Sequence, residues 1–216
     1  MSIAVKICGI TSLDAVDAAI ASGAVYGGLV FHPKSPRVVS LEQARVLADR
    51  MRGRMKVVAL VADMDDAQLK AMIDAVHPDF LQLHGTESVQ RTAQVRAAFG
   101  LPVIKALPVA ESPDLDAASA YEAAADMLMF DAKPPKGAVR AGGHGAAFDW
   151  QLLAGRSFGK PWFLAGGLNP QNVARAIALS GASLVDVSSG VESAPGVKDA
   201  ARIAAFVNAA RYTVQA

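Results

Sequence analysis

Two side chains capable of acid–base chemistry stand where short apolar runs of the sequence end. Cys8 follows Ile3–Ile7, and Asp131 follows Met127–Phe130. A thiol can act as a base, because electropositive surroundings bring its pKa towards about 7, and a carboxylic acid can donate a proton. A free cysteine is also often a small buried hydrophobic residue, and an aspartate after a strand is often a turn or cap residue. Residue type alone leaves both interpretations open.

Small residues in two consecutive turns have the composition of an anion site. Gly166 and Gly167 follow one apolar run, and Ser188, Ser189 and Gly190 follow the next one. Glycines allow backbone N–H groups to approach a phosphate closely, and a short helix beginning near Gly190 would direct its positive end at the same anion. Two ordinary tight turns are the alternative, and the choice depends on the fold around them.

The histidines do not form a recognisable metal-binding pattern. His77 precedes Pro78 at the expected end of a helix, whereas His32, His84 and His144 fall in expected loops. None of these three loop histidines has a second potential ligand two or four residues further on, as a zinc site would require. The single cysteine of the chain excludes a disulfide framework and a cysteine-rich zinc site. We therefore expect no metal.

Eight apolar runs alternate with helical patterns along the chain and would position these residues. The runs are apolar at nearly every position, which is typical of parallel strands that are covered on both faces. The predicted strands are Ile3–Cys8, Val25–Phe31, Lys56–Ala62, Phe80–His84, Val103–Leu107, Met127–Asp131, Trp162–Ala165 and Leu184–Val187.

Helix start and stop signals fill the intervals between the strands. Weaker helical patterns, near residues 114–123 and 149–155, also predict helices. The clearest signals are Thr11 or Ser12 with Gly23 around the first helix, Ser40 with capping-box spacing to Gln43, and Asn169 as a cap with Pro170 in the first helical position.

Eight strand–helix units within 216 residues predict an α/β fold, a (β/α)8 TIM barrel that forms one domain over residues 1–216. An open, doubly wound sheet is the alternative, because strand–helix alternation alone does not show closure. In such barrels the chemistry takes place at the C-terminal ends of the strands, and the loops after strands seven and eight usually bind phosphate. The barrel therefore favours the phosphate interpretation. With Cys8 and Asp131 nearly opposite each other, it also predicts proton transfer on a sugar phosphate.

Composition and charge exclude several other classes of protein. The formal net charge is +1, which argues against a general nucleic-acid binder. The N-terminus lacks the pattern of a signal peptide, and no apolar run approaches about 20 residues without glycine, proline or charge. We therefore expect a cytoplasmic protein without a membrane or nucleic-acid partner.

Short motifs spread over nearly the whole chain carry a family resemblance. Each motif alone is weak, but the ordered set is specific, and it resembles the phosphoribosylanthranilate isomerase family. In chain order the motifs are Lys6–Thr11, Phe31 with Ser35–Arg37, Gln82–Gly85, Asp131–Lys133, Gly142–Gly143 with Phe148–Trp150, Leu164–Pro170 and Asp186–Glu192.

The resemblance implies an Amadori rearrangement, the third step from chorismate to tryptophan. N-(5-phosphoribosyl)anthranilate would become 1-(2-carboxyphenylamino)-1-deoxyribulose 5-phosphate by general acid–base catalysis. Asp131 would protonate the ring oxygen, and Cys8, as thiolate, would remove the C2 proton. No cofactor is expected, because the substrate's own nitrogen stabilises the positive charge.

The resemblance also assigns residues to substrate binding. Arg37 would pair with the anthranilate carboxylate through two hydrogen bonds, and the prolines around it would restrict its position. His84 and Asp186 would be neighbours of the substrate. Residue type alone favours a surface arginine in a strand-to-helix loop for Arg37, and only the resemblance favours the substrate contact. We expect a small-molecule substrate as the partner, and a monomer rather than a dimer.

Three other functions remain as alternatives. The histidine-pathway isomerase performs the same chemistry, but it resembles two fused half-barrels with an aspartate in each half, whereas the first strand here ends in Cys8. A catalytically silent barrel that binds a phosphorylated ligand would not need both Cys8 and Asp131. A cysteine hydrolase would need an oriented histidine beside the thiol.

Overall fold

The computed structural model describes residues 3–133 and 147–212. Eight parallel strands form a closed barrel, because each strand pairs with the next and the eighth pairs with the first. The predicted TIM barrel is confirmed, and the open sheet is excluded. The strands are β1 (Ala4–Cys8), β2 (Tyr26–Val30), β3 (Lys56–Val61), β4 (Phe80–Leu83), β5 (Val103–Val109), β6 (Met127–Ala132), β7 (Trp162–Leu164) and β8 (Leu184–Val187).

Helices connect the strands on the outside of the barrel. Among the described residues, none of them is long and apolar enough to cross a membrane. The helices are α1 (Leu13–Ser22), α2 (Leu41–Met51), α3 (Asp66–Val76), α4 (Val89–Phe99), α5 (Ala118–Tyr121), α6 (Val173–Ser180) and α7 (Ala200–Tyr212).

The N-cap residues predicted for two helices are confirmed by their hydrogen bonds. Ser12 accepts a hydrogen bond from the N–H of Ala15 at the start of α1. Ser40 accepts one from the N–H of Gln43 at the start of α2. The side chain of Gln43 does not return this bond, because it donates to the carbonyl of Thr11 instead. The capping box predicted from spacing is therefore only half formed, and Gln43 ties α2 to the loop before α1.

The predicted start of α6 is wrong by several residues. The helix begins at Val173, and Pro170 lies in the turn before it. Asn169 accepts hydrogen bonds from the N–H groups of Gln171 and Asn172, so its side chain closes this turn rather than capping the helix. Local side-chain bonds of this kind compete with helix formation.

The two weak helical patterns form only short helical segments. A 3₁₀ turn at Ser112–Ala117 leads into the four-residue α5, and a 3₁₀ turn covers Trp150–Leu153. A two-stranded antiparallel hairpin that the sequence did not indicate, β9 (Glu192–Ala194) and β10 (Val197–Lys198), follows β8. The motif residues Gly142 and Gly143, together with His144, lie outside the described residues.

Strand alternation separates the apolar residues inside the barrel from those that pack against the helices. Ile104, Met127, Met129 and Phe163 pack with each other inside the barrel, in a cluster made of residues from the strands. The residues between them in sequence, such as Leu128, pack in the larger cluster with the helices. Because successive side chains of a strand point to opposite faces, this division shows which positions face the barrel interior.

Removal of a large side chain from the outer cluster tests this packing. Phe206 of α7 is fully buried there, so Phe206→Ala should lower the free energy of unfolding by about 3–5 kcal/mol through lost burial and a cavity. Urea denaturation measures the change. The exposed Val46 of α2 provides the control, since Val46→Ala should change stability by less than about 0.5 kcal/mol. A similar small change for Phe206→Ala would contradict the packing described.

Candidate active site

Alternation along β1 places two polar side chains inside the barrel. Val5 and Ile7 pack in the outer cluster, so Lys6 and Cys8 face the interior. A side chain at Gly28 of β2 would place its Cβ 3.1 Å from both Cys8 Sγ and Lys6 Nζ. The two reactive atoms therefore lie beside the same small space, which the glycine keeps open.

Lys6 forms an ion pair with Asp186 of β8 inside the barrel. The distance from Nζ to Oδ1 is 2.7 Å, and Lys6 is completely buried. Burial lowers the pKa of Lys6, but Asp186 and Cys8 together outweigh it, so the pKa lies above its ordinary value and the ammonium keeps its proton. Asp186, predicted as a neighbour of the substrate, has Lys6 as its partner in the structure.

Cys8 is a buried thiol with a raised pKa. Only 4% of the residue is exposed, and it packs against Val30 and Leu60. Burial raises the pKa of the thiol; Lys6 and Lys198 oppose this shift, and Asp186 adds to it. The expectation that electropositive surroundings would bring this pKa towards neutrality is therefore wrong for the protein alone. The neutral thiol is the favoured form.

The C-terminal ends of β4 and β6 bring a histidine and a carboxylate together inside the barrel. His84 Nε2 lies 3.1 Å from Asp131 Oδ2, and each side chain is 14% exposed. Asp131 follows Phe130, which packs in the outer cluster, so the carboxylate faces the interior. On the other side of the imidazole, Gln82 Nε2 lies 2.9 Å from His84 Nδ1. The predicted site residues His84 and Asp131 are therefore direct neighbours.

Arg37 is buried in a group of three charged residues. Its guanidinium makes two hydrogen bonds to Glu192, with Nε 2.6 Å from Oε1 and Nη2 2.8 Å from Oε2. Lys198 Nζ lies 2.7 Å from the same Oε1. The surface alternative for Arg37 is wrong, because only 6% of the residue is exposed. Its carboxylate partner in this structure is Glu192.

The three charges affect each other's protonation. Burial raises the pKa of Glu192, but Arg37 and Lys198 outweigh it, and the pKa lies below its ordinary value. The pKa of Lys198 lies below its ordinary value, because burial, together with Arg37, lowers it more than Glu192 and Cys8 raise it. Sequence reasoning included Glu192 in a motif without giving it a role, and it missed Lys198. No local signal marks Lys198, because the hairpin that carries it was not indicated.

The two small-residue turns pack closely against neighbouring chain segments. Gly166 has a φ of +84°, and a Cβ there would collide with the backbone N of Ala132 beside Asp131. A Cβ at Gly190 would collide with the carbonyl oxygen of Leu168 in the other turn. Both glycines are thus required for close packing, whatever the turns bind. The helix expected near Gly190 is a single 3₁₀ turn at Ser189–Val191.

The remaining predicted phosphate residues also have partners within the chain. The hydroxyl of Ser188 donates to the carbonyl of Cys8 at 3.1 Å, and Lys198 Nζ donates to the carbonyl of Ser188 at 3.0 Å. Gly167, with a φ of +66°, accepts a hydrogen bond from Asn172 Nδ2. The hydroxyl hydrogen of Ser188 is thus used within the protein.

Lys105 within β5 and Glu87 in the loop after β4 support the loops instead of lining the site. Lys105 lies on the helix side of β5, and its Nζ is 2.7 Å from Glu87 Oε2 and 2.9 Å from the carbonyl of Gly85. Glu87 also accepts hydrogen bonds from the N–H groups of Asp63 and Gly85. This network fixes the loop after His84. Within residues 3–133 and 147–212, no group of three or more His, Cys, Asp or Glu side chains could hold a metal ion.

Relatives of known family match the chain over nearly its whole length. A sequence profile of the family described as N-(5'-phosphoribosyl)anthranilate (PRA) isomerase matches residues 5–209. The N-(5'-phosphoribosyl)anthranilate isomerase of Paramagnetospirillum magneticum is 55% identical over 211 residues, which cover 98% of each chain.

Solved structures give the same relationship. Phosphoribosyl anthranilate isomerase from Thermotoga maritima matches with a TM-score of 0.87 at 34% identity, over 97% of this chain and 99% of that one. A phosphoribosyl anthranilate isomerase in complex with reduced 1-(o-carboxyphenylamino)-1-deoxyribulose 5-phosphate matches with a TM-score of 0.83 at 32% identity. The resemblance inferred from the motifs is confirmed: the chain belongs to the N-(5'-phosphoribosyl)anthranilate isomerase family.

Proposed function

We propose that this chain converts N-(5-phosphoribosyl)anthranilate into 1-(2-carboxyphenylamino)-1-deoxyribulose 5-phosphate, the third step from chorismate to tryptophan. The observation that carries the proposal is the arrangement of Cys8 and Asp131, which lie in the C-terminal parts of β1 and β6 and face the same barrel interior in a member of this family. The related structure that holds a reduced form of this product supports it. We also propose that the enzyme works in the cytoplasm as a monomer and needs no cofactor.

Asp131 is the general acid of the proposed reaction. Its protonated carboxyl group gives a proton to the ring oxygen of the ribose, and the lone pair of the anthranilate nitrogen opens the ring to an iminium ion. The neighbouring His84 Nε2, at 3.1 Å, holds the carboxyl group in place. The iminium is the electron sink that acidifies the C2–H bond.

Cys8 is the general base that removes the C2 proton. Its pKa is raised in the protein alone, so the thiolate must be stabilised by charge when it forms. Three cations, Lys6, Arg37 and Lys198, and two anions, Asp186 and Glu192, are paired in the adjoining buried groups, which leaves one excess positive charge. A thiolate at Cys8 balances that charge. The enolamine that results from proton removal then ketonises to the product.

Arg37 and the two small-residue turns bind the two ends of the substrate. Glu192 holds the guanidinium of Arg37 through Nε and Nη2, and the remaining N–H groups bind the anthranilate carboxylate. The backbone N–H groups of the turns Gly166–Gly167 and Ser188–Gly190 bind the phosphate. The second of these turns includes the start of the 3₁₀ segment Ser189–Val191. Asp186 lies near the substrate and acts through its ion pair with Lys6.

Turnover by the pure protein tests the function directly. We expect the protein to convert phosphoribosylanthranilate without added metal or nucleotide. The loss of anthranilate-type fluorescence measures the conversion. A barrel that only binds a phosphorylated ligand would bind the substrate without turnover. That result would end the proposal.

Replacement of Cys8 tests the base. Cys8→Ala should lower kcat at least about 10²-fold, and Cys8→Ser should also be poor because a hydroxyl is much less acidic than a thiol. Because the pKa of the thiol lies above its ordinary value, the thiolate fraction, measured as the rate of alkylation of Cys8, should rise steadily as the pH is raised from about 7 towards 9. Near-normal turnover of Cys8→Ala would make Cys8 a structural residue.

Replacement of Asp131 tests the acid. Asp131→Asn keeps the shape of the side chain but removes the proton needed at the ring oxygen. We expect ring opening to become rate-limiting, with kcat lowered about 10²-fold or more and KM little changed. Steady-state kinetics separate the two parameters. An effect confined to KM would show that Asp131 binds substrate without acting as an acid.

Replacement of Arg37 tests recognition of the carboxylate. Arg37→Ala should lower kcat/KM by about 2–3 kcal/mol, as for the loss of a charged hydrogen bond. A substrate analogue that lacks the ring carboxylate should be poor with the wild type and lose little more with the variant. Arg50→Ala is the control, because Arg50 forms an exposed pair with Asp17 and should be neutral. Equal losses for both substrates would show that Arg37 does not contact the carboxylate.

A further inference from the structure

The buried amide of Gln82 is the neighbour of His84 on the side away from Asp131. Gln82 belongs to β4 and is completely buried, and Leu81 and Leu83 on either side of it pack in the outer cluster, so its side chain faces the barrel interior. Its Nε2 lies 2.9 Å from His84 Nδ1 and 3.3 Å from Met129 Sδ. Its Oε1 is buried and has no hydrogen-bond partner among the described residues.

The contact between Gln82 and His84 couples the orientation of the amide to the tautomer of the imidazole. With Nε2 of Gln82 towards it, His84 Nδ1 accepts a hydrogen bond when it carries no hydrogen, and the hydrogen of the neutral ring is then on Nε2. Nε2 lies 3.1 Å from Asp131 Oδ2, so in this tautomer it donates to the carboxyl group. The pair of His84 and Asp131 then holds one proton, between Nε2 and Oδ2.

Rotation of the amide by a half turn corresponds to one additional proton on the pair. Oε1 of Gln82 would then face His84 Nδ1, which must carry a hydrogen to donate to it. The proton between His84 Nε2 and Asp131 is retained, on either atom, so the pair now holds two protons. Apart from His84, the described residues offer the amide only the weakly accepting sulfur of Met129. No strong hydrogen bond therefore opposes the rotation.

The other charged groups near this pair form ion pairs or hydrogen bonds with other residues. Lys105 of β5 and Glu87 form an ion pair on the helix side of the strands, and Asp63 accepts from the N–H of Thr86 in the adjacent loop. Lys133, after β6, pairs with Asp114. Lys6 and Cys8 face the interior from β1, where Lys6 is paired with Asp186. The amide of Gln82 is thus the group that responds directly to a proton on Nδ1 of His84.

We propose that Gln82 is a positioning residue whose amide orientation follows, and thereby stabilises, the catalytic proton of the pair formed by His84 and Asp131. The inference rests on the proposed role of Asp131 as the general acid. When Asp131 gives its proton to the ring oxygen, the pair passes from two protons to one, and the amide turns from acceptor to donor towards His84. Before the next turnover the Cys8 thiol releases to solvent the proton taken from C2, solvent gives one proton back to Asp131, and the amide returns. Gln82 itself does not touch the substrate.

Nitrogen-15 spectra of the histidines test the tautomer directly. At alkaline pH, His84 of the wild type should carry its hydrogen on Nε2 alone, and a hydrogen should appear on Nδ1 as the pH is lowered. Gln82→Glu replaces the amide with an acceptor, which stabilises the hydrogen on Nδ1, so the transition should move up by at least about one pH unit. The exposed His77 is the internal reference. An unchanged transition in Gln82→Glu, or a hydrogen on Nδ1 of the wild type at alkaline pH, would overturn the inference.

Kinetics separate this inference from the proposed function. Gln82→Met keeps the length of the side chain but cannot hydrogen-bond to His84, so kcat should fall at least about 10-fold with KM little changed. In an Asp131→Asn background the same change should cost less than about 2-fold, because no catalytic proton remains to be held. Gln90→Met, at an exposed position of α4, should be neutral.

The outcomes are distinct. Normal turnover of Asp131→Asn alone would remove the proposed acid. An impaired Asp131→Asn together with a full additional loss for Gln82→Met would retain the acid and reject the role of Gln82. If Gln82→Met does not fold, the spectra of the wild type and Gln82→Glu still decide the question.

Discussion

The ion pair between Lys6 and Asp186 lies at the seam where the barrel closes. β1 pairs with β8 in a register that sets these two residues side by side, and both face the interior. A buried charge without a partner is strongly destabilising, and removal of one member of such a pair costs about 3–5 kcal/mol. The register of the seam is therefore fixed by charge as well as by backbone hydrogen bonds. The same ammonium lies beside Cys8, so the closure of the fold and the chemistry of the thiol depend on one interaction.

The polar and charged side chains around the site divide into two groups according to the face of the strand that carries them. Lys6, Gln82, Asp131 and Asp186 occupy interior positions, whereas Lys105 occupies an exterior one and serves the loops through Glu87. A shift of one residue in any strand would exchange these roles, because side chains alternate with a period of two. The division explains why Lys105, although it belongs to a strand of the barrel, does not line the site.

Much of the fold and part of the site could be predicted from the sequence. The strands were found within two residues at each end, because parallel strands covered on both faces leave continuous apolar runs. Cys8 and Asp131 could be chosen as candidates because they end such runs, and the structure places both side chains on the interior face of the barrel. The partner of Arg37 was not found, because Glu192 lies 155 residues away and joins it only through the closed barrel. The start of α6 was misplaced, because Asn169 closes a turn instead of capping a helix, and spacing does not distinguish the two uses.

The surroundings of Cys8 come from opposite ends of the chain. The thiol belongs to β1, whereas Asp186, Ser188 and Lys198, which contact or influence it, all lie at or beyond β8. During synthesis the N-terminal part of a chain emerges first. Cys8 is thus among the first residues made, and the charges that shift its pKa are among the last. A ribosome-bound chain carries Cys8 without these charges and an unpaired Lys6 until almost all of the barrel has been translated, so the electrostatic surroundings of the thiol arise only with the final strand and hairpin.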